Sequence, residues 1–296
     1  KFTFGLMRER GELAFKQWHK QYENLPQITR ERFDNMQNVD TSRIAYPHFE
    51  LGESMATRVS NGKILNAISQ SLEGFIGGSA DLAPSNNTHL ENEGDFPQGK
   101  NWHFGIREHA MGAISNGVAN YGLFLPFCAT FFVFSDYMSP SVRVASLMKS
   151  KVYYIWTHDS IGVGEDGATH QPIEQLSHFR AMPNLLVFRP ADGNENVACW
   201  QVSLDSAVPC AFVLSRQNLP IIVPYTSTLK EQVQKGAYVL SPADNAAVTL
   251  MASGSEVSLA LKASEALQAK GIVAQVVSVP CLDLLLKQPK SYRESL

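Results

Sequence analysis

Between about residues 55 and 218, short apolar runs alternate with stretches that carry apolar residues at helical spacing, and this alternation restricts the chain more than any other feature. The runs at 127–134, 152–156, 185–188 and 211–214 offer almost no polar side to turn towards water. Strands of that kind belong in a sheet covered on both faces. The stretch 108–121, with Ala110, Ala113, Ile114 and Val118 at helical spacing, predicts a helix that Gly122 is placed to cap. Further helices are predicted at 140–148, at 172–181 with Pro172 in the first turn, and at 195–204. Residues 75–78 predict a strand that runs into a loop over 79–87. Strands and helices in alternation define an α/β fold with a doubly wound parallel sheet over 55–218. After Pro220 and Pro224 the pattern restarts, with strands at 237–240, 247–252 and 272–279 and a helix at 256–268. This second, smaller α/β unit over 219–296 is short for an independent domain, so truncation is expected. Residues 1–54 are polar, with helical stretches at 6–22 and 28–36 and no clear strand, and are expected to form a helical linker arm.

Composition narrows the function classes. The 296 residues are 44% hydrophobic and 18% charged, a globular balance, and the net charge of −3 argues against a dedicated nucleic-acid binder. The run at 122–134 is broken by Pro126 and falls short of the ~20 apolar residues that span a bilayer, so no membrane role is expected. Cys128, Cys199, Cys210 and Cys281 are widely spaced, match no zinc pattern or disulfide framework, and suit buried thiols in a reducing cytoplasm. A chain that starts at Lys1 and ends inside its second unit is expected to be a fragment.

In open parallel sheets, ligands bind beyond the carboxyl ends of the strands. Four polar loops directly follow apolar strands: Gly77-Gly78-Ser79-Ala80-Asp81, residues 157–170, Arg189-Pro190-Ala191-Asp192, and Ser215-Arg216-Gln217-Asn218. The loop 157–170 is the densest, with two histidines, three carboxylates and three glycines. Its histidine and aspartate side chains can exchange hydrogen bonds with sugar-like hydroxyls, although the same composition describes a glycine-rich surface turn. His158 and His170, twelve apart, match no standard zinc spacing. Glu108 opens a helix, where an acidic residue also serves the helix dipole. Phe131, Phe134 and Tyr137 recur at every third residue, a spacing common to core packing and to a ligand platform. Arg58 and Arg216 can fork to phosphate or stand solvated.

Taken together, five segments resemble transketolases: GGSADLAPSN over 77–86, GIREHAM over 105–111, TFFVF over 130–134 with Tyr137, THDSIGVGEDGATHQP over 157–172, and LSRQNLP over 214–220. The resemblance covers the family's pyrimidine-binding domain and the first part of its C-terminal domain, with residues 1–54 in the position of its interdomain linker. It implies transfer of a two-carbon ketol unit from a ketose phosphate to an aldose phosphate in the pentose phosphate pathway, by a cytoplasmic homodimer. The cofactors it implies are thiamine diphosphate and Mg²⁺ or Ca²⁺. Glu108 would hold the pyrimidine N1′ and favour the imino tautomer that removes the thiazolium proton. Phe131, Phe134 and Tyr137 would wall the pyrimidine, with Asp81 in a loop close by. Asp166 would read the substrate's C2 hydroxyl, and His170 the reacting carbonyl or C1 hydroxyl. Arg58, Ser85, His158 and Arg216 would bind the sugar-phosphate end. Ala168 stands where the family usually has proline. The family's diphosphate- and metal-binding domain has no counterpart in the sequence, so no metal ligand is expected. Asp166-Gly167 followed by Asn194 imitates the family's metal motif, but Glu165 replaces its first glycine. Two other roles keep the same motifs: a subunit of a split transketolase, and a non-catalytic binding module. Dihydroxyacetone synthase shares the motifs and differs in acceptor.

Overall fold

The structure, a computed structural model, describes residues 2–296 and divides into two compact units, one ending at Asp40 and one running from Thr41 to Leu296. The first unit is a pair of helices, α1 (Phe2–Glu23) and α2 (Gln27–Gln37). Trp18, Tyr22 and Phe33 hold the pair together, with ring centroids 5.4–6.3 Å apart, and the Tyr22 hydroxyl donates to Asp34 Oδ1 at 2.6 Å.

The second unit opens with a 3₁₀ turn at Thr41–Arg43 and an irregular segment that ends in the two-residue strand β1 (Ser54–Met55). There follow α3 (Thr57–Ser71), β2 (Phe75–Ser79), α4 (Ala83–Asn86), β3 (Asn101–His103), α5 (Glu108–Tyr121) and β4 (Leu125–Phe131). Next come α6 (Ser135–Met148), β5 (Tyr153–Thr157), α7 (Gln175–Arg180), β6 (Leu186–Phe188), α8 (Gly193–Asp205) and β7 (Cys210–Leu214). The chain continues through β8 (Leu219–Pro220), α9 (Leu229–Gln234), β9 (Tyr238–Ser241), β10 (Val248–Ala252), α10 (Glu256–Gln268), β11 (Ala274–Ser278), α11 (Leu282–Leu286) and α12 (Lys290–Glu294).

Six strands form one parallel sheet in the order β3-β2-β4-β5-β7-β6. From β2 the chain steps outward to β3 and then returns to the opposite flank of β2 as β4. The carboxyl ends of β2 and β4 therefore flank a topological switch point, the usual crevice for a ligand. Side chains alternate between two cores, as the pleat requires. Phe75, Phe127, Tyr153, Ile155 and Phe212 face α3 and α8, while Cys128, Tyr154, Trp156, Ala211 and Val213 face α5, α6 and α7. The doubly wound α/β reading of the sequence is thus realised strand by strand. All four cysteines are buried and unbridged, and among the described residues no helix is long and apolar enough to cross a membrane.

Local structure departs from expectation at several places, among them the following. Helix covers only part of 1–54: residues 44–50 are irregular, a turn follows at 51–52, and the segment packs Ile44 and Phe49 into the sheet's core. Asn194 fixes this segment, accepting from the Phe49 amide and donating to its carbonyl, each at 2.9 Å. The strand expected over 127–134 stops at Phe131, the last residue paired with β5, and a 3₁₀ turn at Phe132–Phe134 feeds α6. The helix expected from Pro172 begins at Gln175. Two glycines have clear steric reasons. A Cβ on Gly78 would collide with the Trp102 carbonyl of β3, and Gly122 ends α5 in the left-handed region at φ +87°.

The smaller sheet, ordered β10-β11-β9, pairs β10 with β11 in parallel and β11 with β9 antiparallel. Its Tyr238, together with Val257 and Cys281 nearby, lies in the same buried cluster as Trp200 and Phe212. At this junction Glu195 of α8 is fully buried and accepts from the hydroxyls of Tyr238 at 2.8 Å and Ser278 at 2.6 Å. Burial pushes its carboxyl up to about 7 against those hydrogen bonds.

Candidate active site

All four loops singled out by sequence follow parallel strands and lie at the carboxyl edge of the sheet, and two of them, 157–170 and 215–218, contribute side chains to one site. The 3₁₀ turn after β4 supplies an aromatic wall: residues three apart eclipse in such a turn, and the Phe131 and Phe134 rings stack with centroids 5.8 Å apart and planes 4° apart. Tyr137 extends the wall at 6.1 Å from Phe134 and is 66% exposed, so it does not belong to the core. The His158 ring stacks on Phe131 at 3.7 Å, and His170 meets Phe134 edge-on at 5.2 Å. One cluster therefore joins Phe131, Phe134, Tyr137, His158 and His170.

Beside it stand two cations. Arg58, in the first turn of α3, donates through its guanidinium to the Ser85 carbonyl and through Nε to the Arg216 carbonyl at 3.5 Å. Burial and the facing charge of Arg216 lower the Arg58 pKa. Thr57 brings these elements together, since its hydroxyl lies 3.1 Å from Ser215 Oγ and accepts from the Ser215 amide at 2.7 Å. Arg58 thus touches the backbone of Arg216, and two neighbouring arginines suit a multiply charged anion.

Glu108 sits at the first position of α5 and is 7% exposed. A glutamate that served only the helix dipole would stand in water; this one is buried, with the neutral Thr130 hydroxyl donating to Oε1 at 3.3 Å and no cation partner among the described residues. Thr130 immediately precedes Phe131, which ties the carboxylate to the strand that carries the aromatic wall.

The structure does not draw every candidate into this cluster. Asp81, at φ +61°, and Asp166 are exposed and make no hydrogen bond or ion pair among the described residues. The Arg189 loop serves cohesion. Its guanidinium bonds Asp159 Oδ2 through Nε at 3.0 Å and Nη2 at 2.8 Å, and reaches the Ser253 carbonyl at 2.7 Å. Asn194, the mimic of a metal ligand, spends its amide on the carbonyls of Phe49 and Val223. Sequence reasoning passed over Asn86 and Thr157 as individual residues. Both are fully buried, and Thr157 Oγ1 donates to Asn86 Oδ1 at 2.7 Å. Their polarity at the end of apolar segments was the available signal.

One edge of the doubly wound sheet thus carries a buried carboxylate, an aromatic wall and two neighbouring arginines. Residues 53–221 match the family model for the transketolase pyrimidine-binding domain, and residues 236–296 match that for the transketolase-like C-terminal domain. The chain belongs to the transketolase family. It is 52% identical over 256 residues to the transketolase of Halalkalibacterium halodurans, covering 84% of this chain and 38% of that one. Against the Bacillus subtilis transketolase it is 44% identical over 303 residues, covering 98% and 45%. Among solved structures, the transketolase of Campylobacter jejuni superposes with a TM-score of 0.91 at 54% identity, covering 97% of this chain and 44% of that one. A split-gene transketolase described as an inactive β4 tetramer superposes with a TM-score of 0.65 at 28% identity, covering 77% and 72%. The chain thus spans less than half the length of the curated relatives it matches.

One prediction concerns His158. Burial first, then the charges of Arg58 and Arg216 and the His170 ring, push its pKa from 6.5 down to about 4. Below pH 6.5 the unfolded chain takes up a proton that folded His158 refuses until about pH 4, so the stabilisation is complete above pH 6.5 and is lost as pH falls towards 4. Urea midpoints at pH 7 and pH 5 should differ less in His158→Asn than in the parent chain; an equal drop contradicts the assignment.

Proposed function

We propose that this chain supplies the pyrimidine and sugar-phosphate half of a transketolase active site, for transfer of a two-carbon ketol unit between a ketose phosphate and an aldose phosphate. The observation that carries it is the convergence of Glu108, the Phe131–Phe134 wall and the Arg58–Arg216 pair on one sheet edge. A structure of the Pichia stipitis enzyme with sedoheptulose 7-phosphate, at TM-score 0.90 and 37% identity, supports a sugar phosphate as the anion.

The family's cofactor is thiamine diphosphate, which when bound supplies a stabilised carbanion at its thiazolium carbon. The residues present fit its pyrimidine: Phe131, Phe134 and Tyr137 offer aromatic faces, and Glu108 a buried carboxylate for a ring nitrogen. Glu108 would hold the proton shared with that nitrogen, and Asp81, in the loop after β2, is assigned to the cofactor's surroundings. His170 hydrogen-bonds the reacting oxygen, and Asp166 accepts from the neighbouring hydroxyl. Arg58, Arg216, Ser85 and His158 seat the phosphate end. The reading assigns Mg²⁺ or Ca²⁺ and the diphosphate to the family's diphosphate-binding domain. The setting is the cytoplasm.

A second copy of the chain is the proposed partner. Ile114 and Tyr121 of α5 and Val144, Leu147 and Met148 of α6 are exposed on adjoining helices, a patch that favours association. The split-gene neighbour favours a variant of the same reading, in which the chain is a subunit that pairs with a separately encoded diphosphate-binding chain.

Mixed with an N-terminal transketolase domain, thiamine diphosphate and Mg²⁺, the chain should transfer ketol units from xylulose 5-phosphate to ribose 5-phosphate. Glu108→Gln should lower that rate by about 10²–10⁴-fold. Persistent inactivity of the mixture with a folded chain would favour the non-catalytic module instead. Light scattering should find the chain as a dimer or larger and Leu147→Glu as a monomer, whereas a monomeric parent chain would oppose self-pairing.

A further inference from the structure

The stretch between His158 and α7 carries His170 but has little to hold it. Among the described residues, every hydrogen bond made by residues 160–172 stays within that stretch. The Val163 amide donates to the Ser160 carbonyl, the Gly162 amide to Ser160 Oγ and the His170 amide to the Gly167 carbonyl, and Thr169 Oγ1 pairs with His170 Nδ1. The first hydrogen-bonded link to the rest of the fold comes at Gln175, which opens α7 and is 2% exposed. Its Oε1 accepts from the Ile173 amide at 2.9 Å, and its Nε2 donates to Asp136 Oδ2 at 3.0 Å. A backbone amide only donates and a carboxylate only accepts, so the Gln175 amide has one orientation here. Turned over, it would set donor against donor and acceptor against acceptor.

Asp136 lies between Phe134 and Tyr137, in the first turn of α6, so the Gln175 amide joins the loop that carries His170 to the aromatic wall. A second rung follows one turn along both helices, where Ser139 Oγ lies 2.7 Å from His178 Nε2. The step is three residues on each side, from 136 to 139 and from 175 to 178, a spacing that keeps side chains on one helix face. Phe179 also packs α7 in place, against Phe132 and Trp156, but apolar packing is non-directional and leaves the register of α7 along α6 open. The two rungs fix it. Between Gln175 and His170 stands Pro172, buried and with its φ locked by its ring, which carries that placement back along the chain.

We propose that Asp136 and Gln175 are positioning residues that set where His170 stands against the Phe131–Phe134 wall. The inference rests on the reading of this edge as a ketol-transfer site, in which His170 meets the reacting oxygen. An acid in the first turn of a helix also serves the helix dipole. That role requires no particular partner, whereas this carboxylate is committed to one amide on a neighbouring element.

The test is to record nuclear Overhauser contacts between the ring protons of His170 and Phe134, whose centroids lie 5.2 Å apart. The sample is the full chain labelled in histidine and phenylalanine, free of cofactor and sugar, with signals identified through His170→Asn and Phe134→Leu. The parent chain should show the contact, and Asp136→Asn, which still accepts from Gln175, should keep it. Asp136→Ala, at an exposed position, should lose it, as should Gln175→Glu, which sets two carboxylates against each other. Combining Asp136→Asn with Gln175→Glu lets the new amide donate to the new carboxylate and should bring the contact back, a rescue that general destabilisation would not give. Absence of the contact in the parent or in Asp136→Asn overturns the proposal. So does its retention in either disrupting variant, or its failure to return in a folded double variant. If the Gln175 substitutions do not fold, Asp136→Ala against Asp136→Asn decides alone. Because the readout needs no ligand, its failure leaves the ketol-transfer reading standing, and failure of the transfer assay leaves the ring contact intact.

Discussion

Arg189 is 5% exposed, and its guanidinium is divided between the two α/β units of the body. On one side it grips Asp159, directly after His158; on the other it bonds the Ser253 carbonyl, Ser255 and Glu256. Its own backbone joins the same junction, with its amide donating to the Pro280 carbonyl at 2.8 Å and its carbonyl accepting from Gly254 at 2.9 Å. Removing this side chain would leave a buried carboxylate unpaired, the costly way to break a buried ion pair. The smaller unit thereby takes part in shaping the site without lining it: it holds Arg189, Arg189 holds Asp159, and Asp159 fixes the turn on which His158 stands.

The site is assembled against its own electrostatics. Arg58 and Arg216 repel one another, and the nearby histidine is held uncharged beside them. Such an arrangement is poor for the empty protein and favourable once an anion arrives, as expected where local rules yield to function. Glu108 shows the same tension, as a buried carboxylate whose protein partner is a hydroxyl.

Much of this was legible in the sequence because it is local. The bounds of α5 follow from residue spacing and from Gly122, and the strands follow from apolar runs with nowhere polar to turn. The aromatic triplet was legible as a spacing, but whether it lined a core or a ligand depended on where β4 ended, which pairing with β5 decides. β3 was missed because Asn101-Trp102-His103 carries no apolar run; it is a strand because β2 offers it an edge. The Arg189 loop looked like a site because it follows a strand and is polar, and only the packing of the smaller sheet shows what it binds. Pairings such as Thr57 with Ser215, 158 residues apart, or Phe49 with Asn194, 145 apart, leave no periodic trace. The family resemblance drew attention to loops at this edge, while Asn86 and Thr157 emerged only from hydrogen bonds that cross it.

The account depends most on the claim that side chains from separate loops act as one sugar-phosphate cradle. Arg58 on α3 and Arg216 after β7 meet there only if the edge is assembled as described. The direct measurement is a double-mutant cycle with Arg58→Met and Arg216→Met in the reconstituted enzyme, comparing kcat/KM for ribose 5-phosphate with that for unphosphorylated ribose. The account predicts losses for the phosphorylated acceptor that couple by about 0.5–3 kcal/mol, and little change for ribose. Additive losses, or equal losses for both acceptors, would contradict it.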